Sequence, residues 1–207
     1  MVLYGASGHA KVIIDILESM GVDIAGLIDD NKELEQLQEY PVEHDFHGQQ
    51  PLIVSIGNNH IRKIVAERIN GVYGQAISPN AVVSRRSKIG EGTVVMHGAV
   101  IQADSFVGRH CIINTGASVD HECQLDDYVH VSPHATLCGN VKVGEGTWIG
   151  AGTTIIQGVS IGKWCVIGAG SVVTHDVPDG YLAVGNRCKL IKKINQEILN
   201  PKNEKGD

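Results

Sequence analysis

The 207-residue chain carries a net charge of −6, which disfavours generalised binding to nucleic acid or anionic lipid. Its 43% hydrophobic content suits a soluble protein, but only 4% aromatic residues and as many as 25 glycines point to an interior too narrow for rings. No apolar run approaches the about 20 residues of a bilayer-spanning helix, so no membrane insertion is expected.

The chain enters an apolar strand at Val2-Leu3-Tyr4 without a basic leader or cleavage site. Five cysteines, odd in number and without CxxC pairing, read as reduced thiols, and cytoplasmic placement is the expectation. The strand runs into Gly5-Ala6-Ser7-Gly8-His9. A helical pattern follows, with Val12, Ile13, Ile16, Leu17 and Met20 on one face and Gly21 ending it. A second strand over about 24–28 ends in Asp29-Asp30. Residues 43–50 are polar and irregular, and their two histidines read as solvated loop. A third strand over about 52–56 ends in Gly57-Asn58-Asn59 before a helix over about 60–70. This β-α-β-α unit, residues 1–76, has its loops at the strand C-terminal ends, where open α/β sheets bind ligands. Gly5-x-x-Gly8 fits either a truncated phosphate-binding turn or a plain tight turn.

From Ile77 onward the period changes. Stepping by six gives Val83, Ile89, Val95, Ile101, Val107, Ile113, Val119, Leu125, Val131, Leu137, Val143, Ile149, Ile155, Ile161, Ile167 and Val173 without an insertion. The residue four places after each is small or β-branched, including Cys111, Cys123 and Cys165, which therefore read as packing residues. Three hexads make one triangular coil, with the apolar side chains stacking inside a narrow prism about 4.8 Å per coil. Glycines directly after the apolar position (Gly90, Gly108, Gly144, Gly150, Gly162, Gly168) are expected to serve tight turns. Residues 77–185 thus form a parallel β-helix of between five and six coils. In residues 186–207, the stretch from Lys189 to Leu199 predicts a short amphipathic helix capping the open end.

Chemistry must come from residues that break the blandness of the scaffold. His97 and His110 fall at outward or turn positions with no acidic neighbour, and surface placement is expected for both. His121-Glu122 sets an imidazole beside a carboxylate. His130 follows half a coil later, so the two histidines either converge across a subunit interface or serve separate sites. His130-x-x-x-His134 has the spacing of a metal pair on a helix, but on a β-helix it sends the side chains to different faces.

The stretch Asn114-Thr115-Gly116-Ala117-Ser118-Val119-Asp120-His121-Glu122-Cys123, then His130-Val131-Ser132 and Cys138-Gly139-Asn140-Val141, resembles the bacterial nucleotide-sugar acetyltransferases. That family includes the UDP-4-amino-sugar N-acetyltransferases of the bacillosamine pathway and the sialic acid O-acetyltransferases. Tyr4-Gly5-Ala6-Ser7-Gly8-His9, Asp29-Asp30 and Ile56-Gly57-Asn58-Asn59-x-Ile61-Arg62 match the same family, so the resemblance covers nearly the whole chain. One departure is Gly185-Asn186-Arg187-Cys188-Lys189, where the family usually reads Gly-x-Pro-Ala-Lys.

The resemblance implies a left-handed coil and acetyl-CoA as co-substrate, with no metal. It implies His121 as general base supported by Glu122, the Gly139 N–H as oxyanion donor, and Asn114 orienting sugar or base. His130, Ala151 and Ala169, with Gly139, would line the pantetheine channel. Ser7, Gly8, His9, Asp29, Asp30, Gly57 and His60 would hold a UDP-amino sugar. The family further implies a homotrimer with active sites between subunits, for which the flat faces of a triangular prism are suited. O-acetylation of the sialic acid type, with the same fold and base, is the competing reaction.

Overall fold

The structure is a computed structural model that describes residues 1–46, 48, 50–69 and 71–194. Its first unit is a five-stranded sheet with two helices. In chain order these are β1 (Val2–Tyr4), α1 (Gly8–Ser19), β2 (Gly26–Ile28), β3 (Gln36–Leu37), β4 (Tyr40–Glu43), β5 (Leu52–Val54) and α2 (Asn59–Arg68). The strand order is β3-β4-β2-β1-β5, and β1 lies between β2 and β5, parallel to both. All three residues of β1 and of the edge strand β5 are buried, as expected for parallel strands covered on both faces. The β3–β4 hairpin was not predicted: its strands are short and polar, and its turn rests on Gln38 at φ 52°. Strand β5 ends before Ile56 because the Ser55 hydroxyl donates to the Tyr4 and Gly5 carbonyls and turns the chain. His44 is tied to the Asp29 carbonyl through Nδ1 at 3.0 Å rather than free in solvent, and His47 lies outside the described residues.

The predicted β-helix follows as 17 two-residue strands, from β6 (Ala76–Ile77) to β22 (Val172–Val173). They form three parallel sheets, each strand pairing with the one 18 residues on, as in Ile112 with His130. The apolar hexad positions from Val95 to Val173 are buried in one continuous core, while Ile77, Val83 and Ile89 in the first coil are partly covered. The small slot has a shared chemistry. The Thr93, Ser105 and Thr147 hydroxyls donate to the Gly108, Asp120 and Gly162 carbonyls of the next coil. The Cys111 and Cys123 thiols meet the Asp126 and Cys138 carbonyls the same way, both at 3.2 Å. Burial pushes the Cys111 thiol up to about 12, which fits an inert packing residue.

Two expectations fail here. The glycines after the apolar position do not have positive φ. They are needed because the coils approach closely: a Cβ on Gly90 would lie 2.6 Å from the Gly108 carbonyl carbon. The left-handed corner residue comes two places later and is often not glycine, as at Asp104, His110, Glu122 and Asn140. The C-terminal prediction is also corrected over its first half. Lys189–Lys193 is a strand, β24, antiparallel to β23 (Tyr181–Val184), and the rest of the predicted helix lies outside the described residues. β23 continues the sheet beyond Val166-Ile167, and β24 adds to its free edge, satisfying main-chain groups that a helix would have left open.

The α/β unit packs on the outer face of one sheet of the prism, called here the first sheet. Ala76, Val94, Met96 and Ile112 of that face join Ala10, Ile13 and Ile14 of α1 in one apolar cluster. His110 is buried at this junction, contrary to its expected exposure. Its ring lies edge-on to Tyr73, with centroids 4.5 Å apart, and stacks on Tyr128 at 5.3 Å.

Candidate functional site

The predicted nucleotide residues converge at the C-terminal ends of β1, β2 and β5. Gly5 has φ +107°, and a Cβ there would lie 2.6 Å from Ile56, so the turn requires glycine. Ser7 and Gly8 are exposed at the start of α1, and the Ser7 side chain makes no cap bond. The first N–H groups of α1 therefore remain available to an anionic group. The Asp29 carboxylate is committed to the backbone, accepting from Ala6 N–H at 2.8 Å and Asn31 N–H at 2.9 Å. It shapes the loop as well as facing it. Asp30 accepts from the Tyr4 hydroxyl and pairs with Arg68, an anchor the sequence did not reveal. Gly57 closes the far side of this cluster, whereas His60 points to the β-helix, edge-on to Trp164 at 5.8 Å.

Asn114 and His130 meet on the first sheet, not beside His121. The Thr115 N–H donates to Asn114 Oδ1, so Nδ2 faces His130 Nε2 at 3.0 Å and makes that nitrogen an acceptor. Trp148 lies parallel to His130 with centroids 6.0 Å apart and donates to Ser132. Trp148 was missed by sequence reasoning, although its place 18 residues after His130 was a readable signal. The zinc pair is not formed: His130 faces Asn114, and His134 lies over Gly116.

His121 and Gly139 come together at the corner between the second sheet, which holds Ser118–Val119, and the third, which holds Gln124–Leu125. They are stacked one coil apart, and a Cβ on Gly139 would lie 2.5 Å from His121 Cε1. Glu122 Oε2 stands 3.1 Å from His121 Nδ1 and accepts its proton, which leaves Nε2 as the basic nitrogen. Glu122 has φ 60°, the corner conformation that swings its carboxylate back onto the ring. The Gly139 N–H has no partner among the described residues, and Gly139 is buried under the His121 imidazole. Ala151 and Ala169 are exposed neighbours on a second corner, between the first and second sheets, joined through the Gly170 N–H to the Ala151 carbonyl. In a triangular prism the His121 corner is opposite the first sheet. One chain therefore does not bring His121 to its own cluster at the ends of β1, β2 and β5.

Three imidazoles of the first-sheet region are held neutral. Burial, and next to it the Arg62 cation, lowers His9 and His110 to about 4 and His130 to about 3. Unfolded imidazoles charge below about pH 6.5, so between there and pH 4 the unfolded chain binds more protons. Stability present above pH 6.5 should be lost as pH falls through that window, by on the order of 1 kcal/mol per histidine at pH 5. Thermal unfolding followed from pH 7.5 to 4.5 checks this, and a flat Tm down to pH 5 would contradict it.

Residues 1–69 match the family of the PglD N-terminal domain, and residues 140–175 match the bacterial transferase hexapeptide (six repeats), the repeat of left-handed β-helices. PerB from Caulobacter crescentus, solved with CoA and GDP-perosamine, is 40% identical with a TM-score of 0.88, over 92% of this chain and 96% of that one. The acetyltransferase domain of PglB from Neisseria gonorrhoeae, solved with acetyl coenzyme A, is 35% identical with a TM-score of 0.86, over 92% and 98%. The UDP-N-acetylbacillosamine N-acetyltransferase of Bacillus subtilis is 39% identical over 107 residues, 45% of this chain and 50% of that protein. The chain spans half the length of that curated relative and 20% of another, an uncharacterised mimivirus protein. Among the described residues no helix is long and apolar enough to cross a membrane. With both halves matched in order and near-complete coverage by solved relatives, the chain belongs to the acetyl-CoA-dependent nucleotide-sugar acetyltransferases of the hexapeptide-repeat family.

Proposed function

We propose that the chain transfers the acetyl group of acetyl-CoA to the amino group of a UDP-linked amino sugar, with His121 as general base. The observation that carries this reading is the His121 imidazole, oriented by Glu122, lying over Gly139 beside an unpaired N–H. The sugar's ammonium loses one proton to solvent, and as the neutral amine attacks the thioester carbonyl its nitrogen gives a second proton to His121 Nε2. The Gly139 N–H stabilises the oxyanion. Collapse breaks the C–S bond, and the imidazolium returns the proton to the leaving thiolate. Ala151 and Ala169 are small and exposed, side chains that would let pantetheine pass along their corner. The names of the relatives support N- rather than O-transfer and a sugar nucleotide, UDP in the Bacillus protein and GDP in the Caulobacter one. Two further Caulobacter structures are variants at a single histidine, in line with one imidazole at the centre of the chemistry.

A threefold assembly supplies what one chain lacks. Packing about a threefold axis would set the His121 corner of one subunit against the nucleotide unit of its neighbour, with exposed apolar residues such as Phe106 and Val82 on the prism surface. The test is acetyl-CoA turnover against UDP-amino sugars, GDP-amino sugars, free amino sugars and free sialic acid. UDP-linked amines should be the best acceptors and free sugars poor ones, because the remote binding energy of the nucleotide positions the amine. Full activity on free sialic acid, with no nucleotide affinity by calorimetry, would overturn the assignment.

A further inference from the structure

Arg62 of α2 is almost completely buried between the α/β unit and the β-helix. Its five N–H groups all find acceptors. Nε donates to the His110 carbonyl at 2.8 Å, and Nη1 to the Ile56 and Gly57 carbonyls at 2.9 and 3.0 Å. Nη2 donates to Asn59 Oδ1 at 2.8 Å and the Tyr128 carbonyl at 3.0 Å. No carboxylate pairs with it among the described residues. A buried cation without a counter-ion is costly, and five correctly aimed acceptors are what offset that cost. Asn59 extends the bridge, its amide donating to the Gly146 and Thr147 carbonyls two coils from His110.

The bonds divide by domain. Two of the acceptors, Ile56 and Gly57, form the loop at the end of β5 that closes the nucleotide cluster. Two others, His110 and Tyr128, are corner residues of successive β-helix coils. We infer that Arg62 is a positioning residue for the transfer: its guanidinium fork fixes the Gly57 loop, and with it the bound sugar nucleotide, at a set height on the first sheet next to Asn114 and His130. The same cation is the neighbour that His9, at the start of α1, and His130 share. The Ala151–Ala169 corner has no bond to it. The fork therefore acts on the sugar-nucleotide half of the site and makes no bond to Gly139, Ala151 or Ala169 of the implied thioester half.

This inference rests on the nucleotide-sugar reading above, and the experiment separates the two. Wild type, Arg62→Lys and Asn59→Ala are compared by circular dichroism, thermal unfolding, and KM for each substrate. A lysine keeps the charge but cannot serve both domains through a planar fork. Arg62→Lys should raise the KM for the sugar nucleotide at least 10-fold and lower kcat 10- to 100-fold, with KM for acetyl-CoA within about 2-fold of wild type. Asn59→Ala, which removes one acceptor and one strut, should give the same split at about 3- to 10-fold, and carries the test if the lysine variant does not fold. A folded variant with unchanged kinetics, or with both KM values raised equally, would overturn the positioning role. Wild type inactive on every nucleotide-linked amine would instead overturn the functional reading.

Discussion

Replacing His121 by alanine is expected to lower kcat by about 10²–10⁴-fold, the usual contribution of a positioned general base. Nε2 is the nitrogen free to take the proton, because Nδ1 is held by Glu122 at 3.1 Å. Glu122 itself cannot substitute, since its carboxylate is directed back at the ring and not outward. KM for acetyl-CoA should change little, because the alanine corner is separate from His121. The His121 side chain is 60% exposed, so its loss should leave Tm near the wild-type value. Steady-state kinetics with a UDP-amino sugar decide it. Turnover within a few-fold of wild type would remove His121 from the mechanism.

Gly139→Ala should cost about 10²-fold or more in kcat, although it adds only a single methyl group at a corner of the β-helix. That methyl would lie 2.5 Å from His121 Cε1 and 2.6 Å from Nε2, so the imidazole must swing away. A misplacement of about 1 Å at the reacting centre is enough for a loss of this size. Alanine keeps the main-chain N–H, so the proposed oxyanion donor survives while the proposed base is displaced. The double-mutant cycle isolates this cause: in the His121→Ala background, Gly139→Ala should have little further effect. A full and additive loss in that background would mean that the methyl blocks the thioester and does not act through the base.

The β-helix was legible because its rule is local and strict. Every sixth residue faces inward, and one insertion would break the phase. The same arithmetic holds the His121–Gly139 contact, since residues 18 apart stack at one corner. It also puts Asn114 on the sheet of His130, so the implied grouping of Asn114 with His121 within one chain could have been questioned from the numbers alone. The burial of His110 was not legible: its hexad position is an exposed corner, and Tyr73 and Tyr128 cover it from distant parts of the chain. Arg62 was unreadable for a similar reason. A helical arginine defaults to solvent, and two of the carbonyls that hold it come from segments 48 and 66 residues away. The end strand β24 deceived through composition. Lys, Leu and Ile serve a helix well, but the neighbouring sheet edge offered ladder bonds that outweigh propensity.

The junction between the two units also limits how this protein can grow. Helix α1 grips the lower coils through Ala76, Val94 and Ile112, while α2 grips higher ones through Tyr128, Glu145 and Thr147, with His60 reaching Trp164. The α/β unit is thus a caliper closed on the prism, and each coil between its jaws is a graduation of about 4.8 Å. An inserted hexad triplet in that span would preserve the repeat yet force one jaw off its mark. Beyond Trp164, below the cap formed by β23 and β24, the same insertion would merely lengthen the ruler. Coil number is therefore held by the partner domain across the gripped span and is free only near the end.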